Sequence, residues 1–178
     1  MDDDALARVL DDAYVGDVAA LDMADLRAKR SECQDLEVAL SYRRRMAQGR
    51  LDLVGVEQRR RAQGGERPVG DEALVAELTA ALSGRGRPAG NGRLPQLMAP
   101  DAEGIDLDDL DAIAGSNTLA HLAELSDGEV AELVAELGRF EADVSAQRRS
   151  LHDRIDSIQA EITRRYRTGE ATVDALLR

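Results

Sequence analysis

Two matching stretches of sequence decide the fold of this chain. Residues 26–54 read LRAKRSECQDLEVALSYRRRMAQGRLDLV, and residues 130–158 read VAELVAELGRFEADVSAQRRSLHDRIDSI. In both stretches an apolar residue returns every seven positions, at Leu26, Cys33, Leu40, Ala47 and Val54 in the first and at Val130, Leu137, Val144, Leu151 and Ile158 in the second. This spacing is typical of the buried seam of a coiled coil. The pattern is imperfect, because the companion positions are interrupted by Lys29, Arg43, Arg50 and Gln147.

Each stretch lies inside a helix whose two ends are marked in the sequence. At the start, a leucine is followed by a capping residue and, three positions later, by an acidic residue; the pairs are Asp22 with Asp25 and Ser126 with Glu129. At the other end, arginines precede Gly64 and Gly169, and cations and glycine both suit a helix C-terminus. We therefore predict helices over 22–63 and 126–168, each of about 40 residues and roughly 60 Å long.

The remaining segments are shorter. All four prolines lie between Gly64 and Gly104, so residues 64–125 are predicted to form a long flexible connector, with short helices over 71–82 and near 107–113. Residues 1–16 are predicted to form an acidic amphipathic helix, and 169–178 a tail. Because sequential helices of equal length most simply fold back on each other, the predicted fold class is all-α: an antiparallel two-helix coiled-coil hairpin with a short N-terminal helix and the long connector.

Composition argues against several classes of function. The 178 residues include 23 basic and 35 acidic side chains, for a net charge of −12, which disfavours direct binding of nucleic acid. The start MDDD does not resemble a secretion signal, and no stretch approaches the roughly 20 apolar residues of a membrane span, so no membrane association and a cytoplasmic location are predicted.

We predict no enzyme, no catalytic residue and no metal site. His152 and Asp156 are four positions apart on a helix, but the pair lacks further ligands. His121 is interpreted as a surface or packing residue. Cys33 is interpreted as a core residue of the seam, and a single cysteine excludes an intramolecular disulfide.

A polar stripe is repeated on the two long helices. The pattern E-x-x-x-S-x-x-R-x-x-x-Q-x-x-x-D recurs at the same 104-residue offset as the seam, with histidine in the glutamine position of the second copy; its members are Glu37, Ser41, Arg44, Gln48 and Asp52, and Glu141, Ser145, Arg148, His152 and Asp156. On a helix each copy forms one arc of about 80°. A solvated face is the alternative interpretation, but internal repetition favours a shared structural unit.

The residue types of the polar stripe suit a guanine nucleotide. Arginine matches the O6 and N7 edge of guanine and also pairs with phosphate, while a carboxylate can accept from the N1 and N2 hydrogens. An antiparallel hairpin would bring the copies together about a pseudo-twofold axis. Cyclic di-GMP has this symmetry and these groups, although the geometry alone does not name it. Since the two copies hold two arginines and four carboxylates, we expect the carboxylates to lack cations until a nucleotide binds.

The doubled motif resembles that of the RsiG family, the cyclic di-GMP-dependent anti-sigma factors of actinomycetes. The resemblance covers both long helices, and it implies that a stacked pair of cyclic di-GMP molecules, a second messenger, binds to the ten stripe residues. It also implies capture of a WhiG-type sporulation sigma factor, and thereby developmental control of transcription. His152 departs from the motif, which leaves its own role open. The alternative function is a ligand-independent helical coiled-coil adaptor or scaffold.

The first long helix carries a second apolar face, away from its seam, made of Val38, Tyr42, Met46 and Leu53. Exposure of this apolar face to water is unfavourable, so we expect another segment or another protein to pack on it. Either the N-terminal helix or the connector folds back over it, or it is a surface that binds the sigma factor.

Overall fold

The computed structural model describes residues 3–64 and 105–171, and within these ranges every regular element is a helix. The elements are α1 (Asp3–Leu10), α2 (Asp12–Val15), α3 (Met23–Ala62), α4 (Asp108–Ala114), α5 (Ser116–Ala120), a 3₁₀ turn (Leu122–Glu124) and α6 (Asp127–Thr168). The all-α prediction is confirmed. The helix predicted over 71–82, most of the connector and the end of the tail lie outside the described residues.

The ends of the long helices form as the capping signals indicate. At α3, the Asp25 backbone N–H donates to Asp22 Oδ1 at 2.7 Å. At α6, the Ser126 N–H donates to Glu129 Oε2 at 2.7 Å and the Glu129 N–H donates to Ser126 Oγ at 3.3 Å, which is a complete capping box. Beyond the two C-termini, Gly64 and Gly169 have φ of 64° and 79°, a left-handed conformation that glycine adopts without strain.

The chain divides into two units, and the long helices contribute to both. The first unit comprises Met1–Tyr42 and Val144–Arg178, and the second comprises Arg43–Asp143. The first unit therefore contains the N-terminal half of α3 and the C-terminal half of α6, while the second contains the opposite halves. This pairing requires α3 and α6 to run antiparallel, so the predicted hairpin is confirmed.

The heptad seams are the core of both units. Every one of the ten predicted seam residues is buried, with at most 3% of its surface exposed. In the second unit, Ala47 and Val54 of α3 pack with Val130 and Leu137 of α6 and with Leu110 of α4. Burial of such side chains contributes about 1.5–3 kcal/mol each, which makes the seam the main source of stability.

Three of the residues that interrupt the seam pattern hold the short helices in place. In the first unit, Lys29 Nζ donates to the Tyr14 carbonyl oxygen at 2.7 Å and lies 4.0 Å from the centre of the Tyr14 ring. In the second, Arg50 donates to the Leu110 carbonyl oxygen at 2.8 Å and pairs with Asp111. Arg43 lies over the Phe140 ring and pairs with Asp109 at 3.4 Å. The interruptions are therefore docking points for α2 and α4.

The N-terminal segment differs in one detail from the single helix predicted over 1–16. It forms two short helices that are separated at Asp11, whose backbone is extended (φ −66°, ψ 136°). Asp11 Oδ1 accepts the Ala13 N–H at 2.8 Å and so caps α2, a local bond that competes with continuation of α1. Gly16, with φ of 55°, ends the segment.

Candidate functional site

Four stripe residues form a cluster in the first unit. Arg148 Nε of α6 donates to Glu37 Oε1 at 2.7 Å and to Ser41 Oγ at 2.8 Å on α3. Ser41 Oγ donates to the same Glu37 oxygen at 2.8 Å, and His152 Nε2 lies 3.3 Å from it. We call this set the Glu37 cluster. It places three potential donors from two helices around one carboxylate.

The charge of Glu37 is stabilised by these neighbours. The Glu37 side chain is only 19% exposed, and burial by itself raises the pKa of a carboxyl group. Hydrogen bonds from Ser41 and Arg148, together with the charges of Arg148 and His152, outweigh burial and hold the pKa of Glu37 below its ordinary value. Glu37 is therefore an ionised acceptor at neutral pH.

Three stripe residues form the corresponding cluster in the second unit. Gln48 Nε2 of α3 donates to Glu141 Oε1 of α6 at 2.9 Å, and Arg44 Nη1 lies 3.6 Å from the same oxygen. We call this set the Glu141 cluster. The Glu141 side chain is 23% exposed, similar to Glu37, so the two carboxylates lie in comparable environments.

Two contacts of the Glu37 cluster recur in the Glu141 cluster at the offset of the repeat. The Arg148–Glu37 pair matches Arg44–Glu141, because each member is displaced by 104 residues from its counterpart. In the same way, His152 meets Glu37 where Gln48 meets Glu141. His152, whose role the sequence left open, contacts the carboxylate of the opposite helix. The repeat in the sequence is also a repeat in structure.

The expected shortage of cations does not hold at the two glutamates. Glu37 is paired with Arg148 and Glu141 with Arg44, each arginine coming from the opposite helix. The expectation counted four carboxylates against two arginines as one group. In the structure each glutamate is paired with one arginine.

The guanidinium groups retain unused donors. Within the described ranges, the hydrogen bonds of Arg148 use Nε alone, which leaves its two terminal amino groups for other partners. Arg44 shows the complementary case: its Nε is buried and has no hydrogen-bond partner among the described residues. The Nε atoms of Arg30 and Arg154 are in the same situation, so this feature is not confined to the polar stripe.

The other three stripe residues lie outside these clusters. Ser145 and Asp52 are half-buried, and both make further interactions within the protein. Asp156 is exposed on α6, at a shallow depression that it shares with Gln159 and Thr163. The assignment of all ten stripe residues to a ligand site stays a prediction.

The second apolar face of α3 is covered only in part. Val38, in the first unit, is 40% exposed. In the second unit, Met46 packs against the core that includes α4, so a connector helix covers this end of the face. Leu53 lines an apolar groove, which the sequence did not predict and whose only signal was a mid-helix glycine, Gly49.

The remaining candidate residues make no further site among the described residues. Cys33 is buried in the seam, as predicted. His121 is exposed, and its Nδ1 lies 2.9 Å from the Asn117 carbonyl oxygen. No group of three or more potential metal ligands occurs in residues 3–64 and 105–171. No helix in these ranges is long and apolar enough to cross a bilayer.

Comparison with known proteins identifies the family. No curated protein sequence matches the chain. The model of the RsiG-like family matches residues 12–82 and 116–178, which include both long helices and all ten stripe residues. Membership implies an anti-sigma factor role, regulatory and not catalytic, with a sigma factor as the partner. The chain, with its doubled carboxylate clusters on an antiparallel helical hairpin, therefore belongs to the RsiG-like family.

Proposed function

We propose that this protein is a cyclic di-GMP-dependent anti-sigma factor that sequesters a WhiG-type sporulation sigma factor. The observation that carries the proposal is that the arginine–glutamate pair of the Glu37 cluster recurs in the Glu141 cluster, each time across the two long helices. The two pairs present equivalent charged groups, one arginine and one carboxylate each, at two places on the hairpin. A ligand with two equivalent halves, such as cyclic di-GMP, explains the repetition.

The residues present suit this nucleotide. Arg148 has two terminal amino groups that make no hydrogen bond within the described ranges, and the Arg44 side chain is 30% exposed. They can serve guanine or phosphate acceptors, whereas Asp52 and Asp156 can accept from guanine N–H groups. Glu37 and Glu141 already hold the arginines from the opposite helix, so we assign them the role of orienting the guanidinium groups toward the ligand.

The nucleotide proposal is tested by calorimetric titration of the purified chain with cyclic di-GMP. Cyclic di-AMP is the control ligand, because adenine lacks the O6 acceptor and the N1 and N2 hydrogens of guanine. We expect binding of cyclic di-GMP only. The double variant Arg44→Ala, Arg148→Ala should abolish it, while Arg139→Ala, Arg149→Ala, with the same change in charge at exposed positions, should bind normally. Failure of the unaltered chain to bind would refute the proposal.

The sigma-factor proposal is tested by measuring binding to a purified WhiG-type sigma factor with and without saturating nucleotide. Linkage requires that nucleotide and sigma factor tighten each other's binding by the same factor. Equal affinity for the sigma factor in both conditions would favour the ligand-independent adaptor.

A further inference from the structure

We propose that the apolar groove of the second unit is the docking site for one amphipathic helix of the sigma factor, a helix with basic residues flanking its apolar stripe. The inference rests on the proposed function. The groove has a volume of about 540 Å³, and its apolar lining comes from Met46, Leu53 and Val56 of α3 and from Leu119 of α5. The other lining residues are Arg45, Gly49, Arg50, Asp52, Asp111 and Ser116.

Specific contacts and a specific glycine of the second unit form the groove. Arg50 fixes α4 by its bonds to the Leu110 carbonyl oxygen and to Asp111, so one wall of the groove is held in place. Gly49 lies in the middle of α3, where glycine weakens a helix. A Cβ atom at Gly49 would meet nothing within 4 Å, so the missing side chain leaves open space in the groove.

The dimensions suit a helix as the occupant. The apolar lining from α3 extends from Met46 to Val56, three helical turns or about 15 Å. A helix presents apolar side chains over this length at positions i, i+3 or i+4, and i+7.

Charge favours a basic occupant. The groove lining holds two arginines and two aspartates, and the excess of acid comes from the rest of α4. This helix contributes Asp111 to the lining and also carries Asp108 and Asp109, and all three are exposed. Arg43 pairs with Asp109 and Arg50 pairs with Asp111, which leaves the α4 segment net acidic. Residues 71–82 of this chain read DEALVAELTAAL and carry three acids and no base, so they would place like charges together. A basic helix of a partner avoids this repulsion.

The second apolar face is absent from the other half of the repeat, which argues for a partner without twofold symmetry. At the offset of 104 residues, the seam and the stripe of α3 recur on α6. The groove residues do not: Met46, Leu53 and Val56 correspond to Ser150, Ser157 and Ala160. A symmetric ligand needs only the repeated residues. The unrepeated apolar residues are the ones that a single, asymmetric protein partner would use.

Asp52 links the groove to the nucleotide. It belongs to the polar stripe and also lines the groove. A nucleotide that bonds to Asp52 changes the groove wall that the sigma helix meets. This gives a direct physical route by which the nucleotide promotes capture of the sigma factor.

The groove can be filled without weakening the fold. Gly49→Leu places a large side chain in the open space, and it replaces a helical glycine with a stronger helix former. Gly138→Leu is the matched control, because Gly138 is also helical, lies in the same unit, has open space around its Cβ position and does not line the groove. We expect both variants to melt at or above the temperature of the unaltered chain.

Binding to a WhiG-type sigma factor is then measured at saturating cyclic di-GMP. Gly49→Leu should bind the sigma factor at least tenfold more weakly than the unaltered chain and Gly138→Leu do, while its affinity for cyclic di-GMP alone stays unchanged. Leu53→Glu should bind the sigma factor more tightly than Leu53→Lys, since the lysine repels a basic helix.

Different results would overturn the docking site, the type of occupant and the proposed function. Unchanged sigma binding by Gly49→Leu would overturn the docking site. If that variant instead lost self-association, the occupant would be a second copy of the chain; if hydrogen exchange of residues 71–82 changed instead, the occupant would be the connector. Tighter binding by Leu53→Lys than by Leu53→Glu would overturn the basic helix. If the unaltered chain bound neither nucleotide nor sigma factor, the proposed function would fail and this inference with it.

Discussion

Replacement of Arg148 by alanine is expected to reduce nucleotide affinity by at least as much free energy as it reduces stability. In the free protein the substitution removes two hydrogen bonds from Nε, to Glu37 at 2.7 Å and to Ser41 at 2.8 Å. Ser41 and His152 still contact Glu37, and the Arg148 side chain is 32% exposed, so we expect a loss of about 1 kcal/mol in the free energy of unfolding. Loss of a guanine or phosphate contact costs about 1–3 kcal/mol, or roughly 5- to 150-fold in the dissociation constant.

Arg44→Ala provides an internal comparison. Arg44 lies 3.6 Å from Glu141, a longer contact than that of Arg148, and it has a buried Nε without a partner among the described residues. Its removal should therefore cost less stability but a similar amount of nucleotide affinity. Urea unfolding of the free proteins and calorimetric titration with cyclic di-GMP measure the two quantities, with Arg149→Ala as the exposed control. Unchanged nucleotide affinity in both variants, or a loss that only follows unfolding, would refute the assigned roles.

Three further predictions concern the clusters, the core and pH. His152→Gln gives the Glu37 cluster the glutamine that the Glu141 cluster has at the equivalent position, so the nucleotide dissociation constant of the variant should stay unchanged in the same titration. A large loss of affinity would contradict the equivalence of these two positions. Leu137→Ala truncates a fully buried side chain and should lower the free energy of unfolding by about 2–5 kcal/mol in urea, with Leu137→Met costing less than about 1.5 kcal/mol. Hydrogen bonds from Arg60 and then Arg61 outweigh burial and lower the pKa of Glu57 to about 2, so its stabilising contribution should be complete above its ordinary pKa of 4.5 and lost as the pH falls toward 2. Glu57→Gln should remove that part of the pH dependence in urea unfolding at several pH values, and an unaltered pH profile would show that these ion pairs do not stabilise the fold.

The features of the fold that could be predicted from the sequence are those with a local or periodic signal. The heptad seam identified the buried residues of both long helices, and the capping residues placed the start of α3 at Met23 within one residue of the prediction. The docking of the short helices had no such signal. Lys29 and Arg50 were visible as interruptions of the pattern, but their partners are backbone carbonyl oxygens of Tyr14 and Leu110. Every residue carries such an oxygen, so the sequence could not specify which one is used.

The sequence predicted which residues belong to the candidate site but not which of them pair with each other. The repeated motif identified the arginines and the glutamates, whereas the assignment of Arg148 to Glu37 and of Arg44 to Glu141 depends on the register of α3 against α6. The break in the N-terminal helix was missed for a related reason. The apolar spacing continues through Asp11, as seen at Leu6, Val9, Leu10 and Ala13. However, Asp11 Oδ1 accepts a hydrogen bond from the Ala13 N–H, and this local bond ends α1.

The proposed nucleotide site and the proposed sigma-factor site draw on different residues of the hairpin. Seam and stripe positions recur at the 104-residue offset, and their contacts recur with them, as with Glu37 and Glu141. The apolar face of α3 does not recur, since Met46, Leu53 and Val56 correspond to Ser150, Ser157 and Ala160. The docking arginine does recur: Arg154, at the offset from Arg50, donates to the Leu10 carbonyl oxygen and pairs with Asp12, as Arg50 donates to the Leu110 carbonyl oxygen and pairs with Asp111. A ligand with two equal halves can use only what is repeated, and a protein partner gains specificity only from what is not. Substitutions at repeated positions should therefore change nucleotide affinity first, and substitutions in the groove should change sigma affinity first. Asp52 belongs to both sets, so Asp52→Ala alone should change both affinities.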